Sequence, residues 1–371
     1  MYDLSRRSLL RAGTAALVAG IAPFGIARAA DDWQAEWART IAAAKKEGAV
    51  VVCASSNRSR RDFIIKEWQK AYPEIELSYQ VVGGTSFVPA TVTERSAGKY
   101  LWDVFHNGPP SGLSAIHAGL LDPLIPEFIL PEVKDPAVWG GWDKAFYDPE
   151  HQYMLGLFSD ITAPYYNARK LKPEIAQKLG LKVLLEPEMK GKIYWFDPRV
   201  QGPGAPYLAL FDHLLGKENL RKILTEQDVV FVANDNEVAA AVVRGRGVIG
   251  IANRPGEAFQ EYKAAGLDLD IRPFGNGPDA GYRGTGGGTV AVFNKRPHPN
   301  AARLFVNWIA TRAMGEGLSK AQDLNSARND VPSLDPRFAA IPGATYLDAQ
   351  REEYDVLVRQ WQQELKTIRP Q

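Results

Sequence analysis

The sequence has few of the residues that most fixed-spacing chemical motifs require. Its 371 residues include one cysteine and five histidines, and no two histidines lie three or four residues apart. A disulfide within one chain is therefore excluded, and the usual zinc motifs are absent. The glycine-rich segment 284–288 precedes a predicted strand, whereas phosphate-binding loops of nucleotide enzymes precede a helix. The sequence also lacks the G-x-S-x-G motif of serine hydrolases.

The sequence also lacks an excess of charge of either sign. It has 44 Lys and Arg residues against 43 Asp and Glu residues, which gives a net charge of +1. Proteins that bind nucleic acid gain most of their affinity from a basic surface, so we expect no nucleic-acid partner. With 45% hydrophobic residues and no low-complexity tract, the composition predicts a globular protein of about two domains.

The first 29 residues have the three parts of an export signal. Arg6-Arg7 precedes an apolar stretch over 12–26, and Ala27 and Ala29 supply the small residues of a cleavage site. Paired arginines are typical of the twin-arginine type. The stretch is shorter than the roughly 20 apolar residues that a membrane-spanning helix needs. We therefore predict cleavage of residues 1–29 and a soluble, periplasmic mature protein, whose net charge would fall from +1 to −2 as four arginines and one aspartate leave.

Apolar periodicity predicts an α/β protein. The continuous apolar run 49–54 is typical of a strand that is covered on both faces, and therefore of a parallel sheet. Ligands of such sheets bind beyond the carboxyl ends of the strands. Before residue 106 the predicted elements are a helix from Trp33 to about Gly48, strand 49–54, a helix through Phe63 and Tyr72, strand 75–82, helix 88–97 and strand 102–105.

A second series of elements follows a proline-rich segment. The prolines at 123, 126, 131, 136 and 149 predict surface connections and a nearby domain boundary. The predicted strands of this series are 153–158, 163–166, 192–196, 248–252 and 289–293. Its predicted helices are 208–215, 238–243, one through Ala302 and Met314, and a last one through Tyr354 and Leu365.

Five segments in order resemble one protein family. They are Trp102–Gly108, Tyr165-Tyr166-Asn167, Met189–Ile193 with Asp197-Pro198-Arg199, Asn236–Val238 through Val243-Arg244-Gly245, and Pro297–Ala302. Together they resemble family 1 of the extracellular solute-binding proteins, in the ferric-iron-binding-like branch that serves ABC importers. The resemblance covers nearly all of the chain after the predicted signal.

The resemblance implies a type II periplasmic-binding-protein fold, in which two α/β lobes close by a hinge over a ligand in the cleft between them. The first lobe would comprise 30–157 plus 285–340, and the second 158–284 plus 341–371. It further implies a small-molecule ligand, a transient partner in an inner-membrane ABC permease, no cofactor and no catalysis. We expect a monomer.

The departures from the iron-binding pattern favour a different solute. Gly108 stands where those relatives have a glutamate, and Ile251-Ala252-Asn253 is followed by Arg254-Pro255 where they have a tyrosine pair. Loss of these hard anionic ligands and gain of a guanidinium disfavour ferric iron and favour a carboxylate, phosphate or phosphonate. The sequence thus predicts a small anionic organic or phosphorylated solute.

The residues that the resemblance and the strand ends place at the ligand site come from four parts of the chain. Arg254 and the segment 201–205 would hold the anion, the latter with backbone amides ahead of a helix. The predicted ligand-binding residues are Ser55, Ser56 and Asn57 after the first strand, His106 and Asn107 after the third, Ser159 and Asp160 between the lobes, and Gln201, Gly202, Gly204, Ala205, Asn234, Asn253 and Arg254 in the second lobe.

Other roles for these residues stay open. Arg254 could be a solvated surface arginine, the residues at 55–57 could be ordinary turn and helix-cap residues, Asp160 could be structural, and His106 could be packed in the core. A binder of ferric iron or a metal chelate using Tyr165 or Tyr166 is the alternative within the same fold. An exported enzyme using Cys53 or His106 is the alternative outside it.

Overall fold

The structure is a computed structural model and describes residues 24–82, 87–200, 202–253, 256–286, 288–348 and 351–369. The strands are β1 (Ala49–Ala54), β2 (Glu76–Val81), β3 (Val104–Asn107), β4 (Leu121–Asp122), β5 (Leu155–Gly156), β6 (Asp160–Thr162), β7 (Tyr165–Asn167), β8 (Ile193–Phe196), β9 (Val230–Val232), β10 (Ile249–Ile251), β11 (Ile271–Pro273), β12 (Tyr282–Gly284) and β13 (Thr289–Phe293). The helices are α1 (Phe24–Glu47), α2 (Arg58–Ala71), α3 (Phe87–Ser96), α4 (Pro109–His117), α5 (Pro131–Lys134), α6 (Trp142–Ala145), α7 (Pro173–Leu179), α8 (Pro206–Leu215), α9 (Lys217–Glu226), α10 (Asp235–Val243), α11 (Gly256–Ala264), α12 (Pro299–Ile309), α13 (Arg312–Gln322) and α14 (Glu352–Ile368).

The N-terminal half of the chain builds most of a first sheet, whose strand order is β2-β1-β3-β13-β4, with β5 also paired to β13. Strand β1 is parallel to both β2 and β3, and this confirms the predicted β-α-β-α-β series. The β-branched valines of β1 suit a pleated strand, and three of its last four residues have no exposed surface. Because β1 and β3 run in the same direction, the segments that follow them begin at one edge of the sheet.

A second sheet follows in the chain, with strand order β11-β7-β10-β8-β9. Strands β8, β9 and β10 are parallel, whereas β7 lies antiparallel between β10 and β11. The carboxyl ends of β8 and β10 therefore lie at one edge, as those of β1 and β3 do in the first sheet.

Two strands, β6 and β12, carry the chain between the two sheets, and we call them the crossing strands. They pair antiparallel with each other in a separate two-stranded ladder, in which Asp160 lies opposite Gly284 and Thr162 opposite Tyr282. In the sequence β6 comes between β5 of the first sheet and β7 of the second, and β12 returns the chain from β11 to β13. Both sheets are therefore joined to the same short ladder.

The proline-rich segment after Pro123 differs from the surface connection that the sequence predicted. Leu124, Phe128 and Trp139 are buried in the core that covers the first sheet. Proline is tolerated in the first turn of a helix, where its missing N–H would have no partner, and Pro131 begins α5 in this way. The prolines thus shorten the helices here, while the apolar side chains of the segment stay in the core.

The helix predicted through Ala302 and Met314 is two helices, so that prediction was wrong. Helix α12 ends at Ile309, and α13 begins at Arg312. The hydroxyl of Thr311 accepts a hydrogen bond from the backbone N–H of Met314 at 3.4 Å and caps α13. The apolar residues keep helical spacing across the break, which is why periodicity alone did not detect it.

Each sheet has its own apolar core, in keeping with a chain of this length. Trp68 and Phe305 pack on the first sheet, with ring centroids 5.4 Å apart. In the second core Trp195 of β8 packs against Phe211 of α8, with centroids 5.3 Å apart. The last helix, α14, belongs to the second core through the buried Trp361. None of the helices in the described ranges is long and apolar enough to cross a membrane.

Candidate functional site

The residues that follow β1 are held by a buried arginine. The side-chain oxygen of Asn57 accepts a hydrogen bond from the Arg60 backbone N–H at 2.8 Å and caps α2. The guanidinium of Arg60 is almost fully buried and donates to the carbonyl oxygen of Ser55 at 3.3 Å and also to its hydroxyl. The Ser55 N–H donates to the carbonyl of His106 at 3.2 Å, which ties β1 to β3, and Ser56 is exposed. Asn57 thus has the helix-cap role that the sequence left open.

His106, at the end of β3, lies inside the protein. Its Nδ1 is 3.0 Å from the Tyr79 hydroxyl, and the residue has no exposed surface. Burial and the nearby charge of Arg60 hold the pKa of His106 well below its usual value, so the imidazole is neutral. Its Nε2 is buried and has no hydrogen-bond partner among the described residues. His106 is therefore packed inside the protein beneath the end of β3 and does not lie on an open surface.

Asn107 closes the turn that leads from β3 into α4. Its side-chain amide donates to the Val82 carbonyl at 3.1 Å, and its side-chain oxygen accepts from the Gly108 N–H at 2.8 Å. Helix α4 begins with Pro109 and Pro110, has no side-chain cap and has no acidic residue in its first turn. The positive end of this helix dipole is thus at the same sheet edge as the residues after β1.

The crossing strands carry Ser159, Asp160 and an arginine that the sequence did not single out. Asp160 is buried, and its Oδ1 accepts a hydrogen bond from the Asn325 N–H at 2.9 Å, which gives it a structural role. The Nε of Arg283 donates to the Ser159 hydroxyl at 3.0 Å. A guanidinium is therefore fixed on β12, between the two sheets.

The glycine-containing turn after β8 packs tightly against that strand. A Cβ on Gly204 would lie 1.8 Å from the Phe196 carbonyl oxygen, and one on Gly202 would lie 2.5 Å from the Phe196 ring. The Gly204 carbonyl accepts a hydrogen bond from the Trp195 indole at 3.0 Å. Ala205 then precedes α8, whose first turn has neither a side-chain cap nor an acidic residue.

Helix α10 begins beside the end of β10, and its own side chains satisfy its N-terminus. The Asn234 side chain accepts from the Glu237 N–H at 3.0 Å, and the Glu237 carboxylate accepts from Asn234 Nδ2 at 2.8 Å and from the Ala233 N–H at 3.3 Å. This arrangement resembles a capping box, except that Glu237 accepts from the Asn234 side chain and the Ala233 N–H instead of the Asn234 N–H. Asn234 is thus engaged as a helix cap, while Asp235 accepts from the Asn253 N–H at 3.2 Å.

Asp235 lies in a group of buried tyrosines. Burial raises its pKa to about 6, although hydrogen bonds from Asn253 oppose the shift. Burial raises the pKa values of Tyr165, Tyr207 and Tyr282, and the negative charge of Asp235 raises them further. The Tyr207 hydroxyl donates to the Ala252 carbonyl at 2.8 Å and so links the first turn of α8 to the end of β10. The predicted second-lobe residues after β8, β9 and β10 are thereby brought together.

Tyr165 and Tyr166 occupy opposite faces of β7 and have different surroundings. The Tyr165 ring packs where a Cβ on Gly250 would be only 2.4 Å away, and its centroid is 5.7 Å from that of Phe259. Burial raises the pKa of its hydroxyl well above the usual value, which disfavours the phenolate that ferric iron binds. Tyr166 instead lines a separate groove of about 630 Å³ at the β11 edge, together with Arg272 and other residues.

Cys53 and His106, the two residues of the enzyme alternative, are not accessible to solvent. Cys53 has no exposed surface, and burial raises the pKa of its thiol, which disfavours the reactive thiolate. His106 is equally buried. Within the described ranges no group of three or more His, Cys, Asp and Glu residues is placed to hold a metal ion.

The predicted site residues thus form a group at the first sheet edge, a group at the second, and Ser159 with Asp160 at the crossing strands between them. Gln201 and Arg254 lie outside the described residues, as do the predicted signal residues before Phe24. The sequence reasoning missed Arg60, Asp235 and Arg283. For Arg60 and Asp235 the sequence held a signal, since each lies one to three residues after an asparagine among the predicted site residues, Asn57 and Asn234 respectively.

Comparison with solved structures shows the same fold at low sequence identity. Iron-bound HitA from Pseudomonas aeruginosa aligns with a TM-score of 0.66 and 19% identity, over 84% of this chain and 98% of that one. The periplasmic binding protein AfuA from Actinobacillus pleuropneumoniae, solved with fructose-6-phosphate, gives 0.61 and 19%, over 86% and 99%. IdiA (FutA) from Trichodesmium, in complex with iron and citrate, gives 0.61 and 16%, over 87% and 100%.

These similarities confirm the predicted two-lobed α/β fold of periplasmic binding proteins. No curated protein matches the chain in sequence. The model of one family, described as bacterial extracellular solute-binding protein, matches residues 54–316. That match spans most of the chain and includes strands of both sheets, so the protein belongs to the family of bacterial extracellular solute-binding proteins.

Proposed function

We propose that this solute-binding protein captures a small anionic organic or phosphorylated solute between its two lobes and presents it to an ABC permease. The lobes would comprise 30–157 plus 285–340 and 158–284 plus 341–371. Closure of the lobes about the crossing strands would distinguish the loaded protein from the empty one, since a ligand can favour closure only through contacts that differ between the two states. The protein would be exported through its twin-arginine signal, would act as a monomer and would carry out no chemistry on the solute.

The observation that carries the anionic assignment is the contrast between two helices that begin at the same edge of the second sheet. In helix α10 the negative charges of Asp235 and Glu237 in the first turn compensate the positive end of the helix dipole, and Asn234 caps the helix. Helix α8 has none of these features, yet its first turn is linked to the same strand end through the hydroxyl of Tyr207. An uncapped helix N-terminus favours negative charge, so α8 offers the place for the solute's acidic group.

The first sheet supports the same assignment. Helix α4 also begins without a cap and without an acidic residue in its first turn. Beneath the segment after β1, the buried guanidinium of Arg60 adds a fixed positive charge. Solved proteins of this fold hold fructose-6-phosphate or iron with citrate, so phosphate and carboxylate groups are accommodated within it.

A thermal-shift screen with citrate, fructose 6-phosphate and 2-aminoethylphosphonate tests the proposal. We expect at least one of them to raise the melting temperature, because a ligand that binds only the folded state stabilises it. Arg254→Ala should abolish that shift, since Arg254 is proposed to bind the anion. Arg272→Ala is the matched control, because Arg272 is paired with Asp270 at the β11 edge and should keep the shift. A wild-type protein that none of the three stabilises would contradict the proposal.

The same preparation distinguishes the iron alternative. A phenolate bound to ferric iron gives a visible charge-transfer band, so ferric citrate should produce that band if Tyr165 or Tyr166 ligates the metal. We expect no band from Tyr165, because burial holds its hydroxyl in the protonated form. A band that disappears in Tyr165→Phe or Tyr166→Phe would favour the metal-binding function instead.

A further inference from the structure

The guanidinium of Arg283, on crossing strand β12, forms one of the hydrogen bonds that it could donate. Its Nε donates to the Ser159 hydroxyl at 3.0 Å, and the side chain is partly exposed. Within the ranges that the structure describes, its two terminal nitrogens donate no hydrogen bond and it forms no ion pair. A guanidinium has five N–H donors in a fixed planar arrangement, so the edge with the two terminal nitrogens is available for a ligand.

A second polar group near Arg283 also lacks a partner. The Tyr147 side chain is 2% exposed, and its hydroxyl forms no hydrogen bond to any described residue. The Arg283 backbone N–H donates to the Leu347 carbonyl at 3.3 Å, so Arg283 lies beside the residue that precedes Asp348. Burial raises the pKa of Tyr147 to about 12, and the charges of Arg283 and Asp348 act on that pKa in opposite directions. Buried hydroxyls are normally hydrogen-bonded, so this pair of donors points to a missing acceptor.

The nearby acidic side chain is already engaged. The Oδ2 of Asp348 accepts a hydrogen bond from Arg351 Nε at 2.7 Å. Of the three charges that act on the pKa of Tyr147, two belong to arginines and one to Asp348. A hydrogen-bond acceptor that faces a guanidinium is bound more strongly when it carries a negative charge, so we expect the missing acceptor to be an anion.

We propose that Arg283 binds the solute's acidic group directly and selects a carboxylate, phosphate or phosphonate that offers two oxygens in one plane. This inference rests on the proposed function and adds a ligand-binding residue to it. The planar guanidinium matches two such oxygens through parallel hydrogen bonds, which a lysine cannot reproduce. Ser159 would act as a positioning residue, because its hydroxyl fixes Nε and thereby orients the two terminal nitrogens.

The position of Arg283 explains why such a residue would suit a hinged receptor. Strand β12 is paired with β6, and each of the two strands connects one sheet to the other. A residue on this ladder moves less than the outer parts of either lobe during closure about a hinge. Arg283 could therefore bind the anion in the open form and keep that contact as the lobes close.

Isothermal titration with the three screen compounds tests the inference on the full chain. With the compound that binds the wild type, Arg283→Gln should weaken binding by about 10- to 100-fold, the range expected for lost charged hydrogen bonds. Arg283→Lys should recover only part of that loss, because it restores the charge without the two parallel donors. Ser159→Ala should give a smaller loss, and Arg272→Gln should bind like the wild type.

Each outcome bears on either the inference or the function. Wild-type affinity in Arg283→Gln, with binding lost in Arg254→Ala, would overturn the inference and leave the proposed function intact. Full recovery in Arg283→Lys would overturn the selection of two coplanar oxygens. If Arg283→Gln fails to fold, the comparison of Arg283→Lys with Ser159→Ala still decides, since unchanged affinity in both contradicts the inference. A wild type that binds none of the compounds contradicts the proposed function itself.

Discussion

Asp235→Asn is the substitution whose effect on stability the structure defines most directly. The carboxyl group is buried beside Tyr165, Tyr207 and Tyr282, and burial raises its pKa from 3.8 to about 6. Asparagine keeps the shape and an oxygen that can accept from the Asn253 N–H, but it carries no charge. The substitution therefore removes the cost of an ionised carboxylate in this position and little else.

The sign and size of the effect follow from proton linkage. The pKa in the folded state lies above that in the unfolded state, so the group supports folding at acid pH, and that contribution is lost as the pH rises through about 6. A tenfold change in proton affinity corresponds to about 1.4 kcal/mol, which places an upper bound of about 3 kcal/mol on the loss. Asp235 as a whole residue keeps some exposed surface although its carboxyl group is buried, so we expect Asp235→Asn to stabilise the protein by about 1 to 3 kcal/mol at pH 7.5.

Urea unfolding at a series of pH values, followed by tryptophan fluorescence, provides the measurement. The variant and the wild type should be nearly equal in stability at pH 4 and should separate between pH 4 and 7. Asp270→Asn is the control, because Asp270 is an exposed carboxylate whose pKa is lowered by Arg272, and its substitution should not stabilise the protein at neutral pH. Equal stability of Asp235→Asn and wild type at pH 7.5, or a variant that is less stable there, would refute the reasoning.

Two further substitutions test the packing beneath the site. Gly204→Ala should cost more than about 2 kcal/mol and abolish the ligand-induced thermal shift, because the new Cβ would lie 1.8 Å from the Phe196 carbonyl oxygen. Unchanged melting and binding would show that the turn can move aside. Arg328→Met should cost about 2 to 4 kcal/mol in urea unfolding, because the buried guanidinium donates to the Ala310 carbonyl at 2.7 Å and to the Glu132 carbonyl at 3.1 Å, and both would lose a charged donor. The matched control Arg337→Met removes an exposed pair and should cost less than about 1 kcal/mol, so equal losses in the two variants would contradict a special role for burial.

The local pattern of the sequence was sufficient to predict the first helix and the order of the first strands. The apolar run 49–54 is β1, and the helix predicted to end near Gly48 ends at Glu47. The parallel order of the first three strands also followed, because one helix lies between each strand and the next and returns the chain in the same direction. The segments after β1, β3, β8 and β10 could therefore be named in advance as the place for a ligand.

Local pattern was not sufficient where the same residue types serve different purposes. An asparagine after a strand can cap a helix or bind a solute, and only the structure shows that Asn57 and Asn234 accept hydrogen bonds from their own helices. In the same way, the spacing of Ala302 and Met314 fits one helix. The structure shows two helices there, the second of which is capped by the hydroxyl of Thr311.

The sequence by itself determined the α/β class and the strand ends, because these depend on neighbours within about 20 residues of one another. It also determined the family resemblance, because that rests on short segments and their order along the chain. The tertiary structure decided which polar side chains are buried and what each one faces. Arg283 and Ser159 are 124 positions apart and meet at 3.0 Å only because β6 and β12 pair. Burial and charge at a site depend on such long-range pairings, which leave no local period in the sequence.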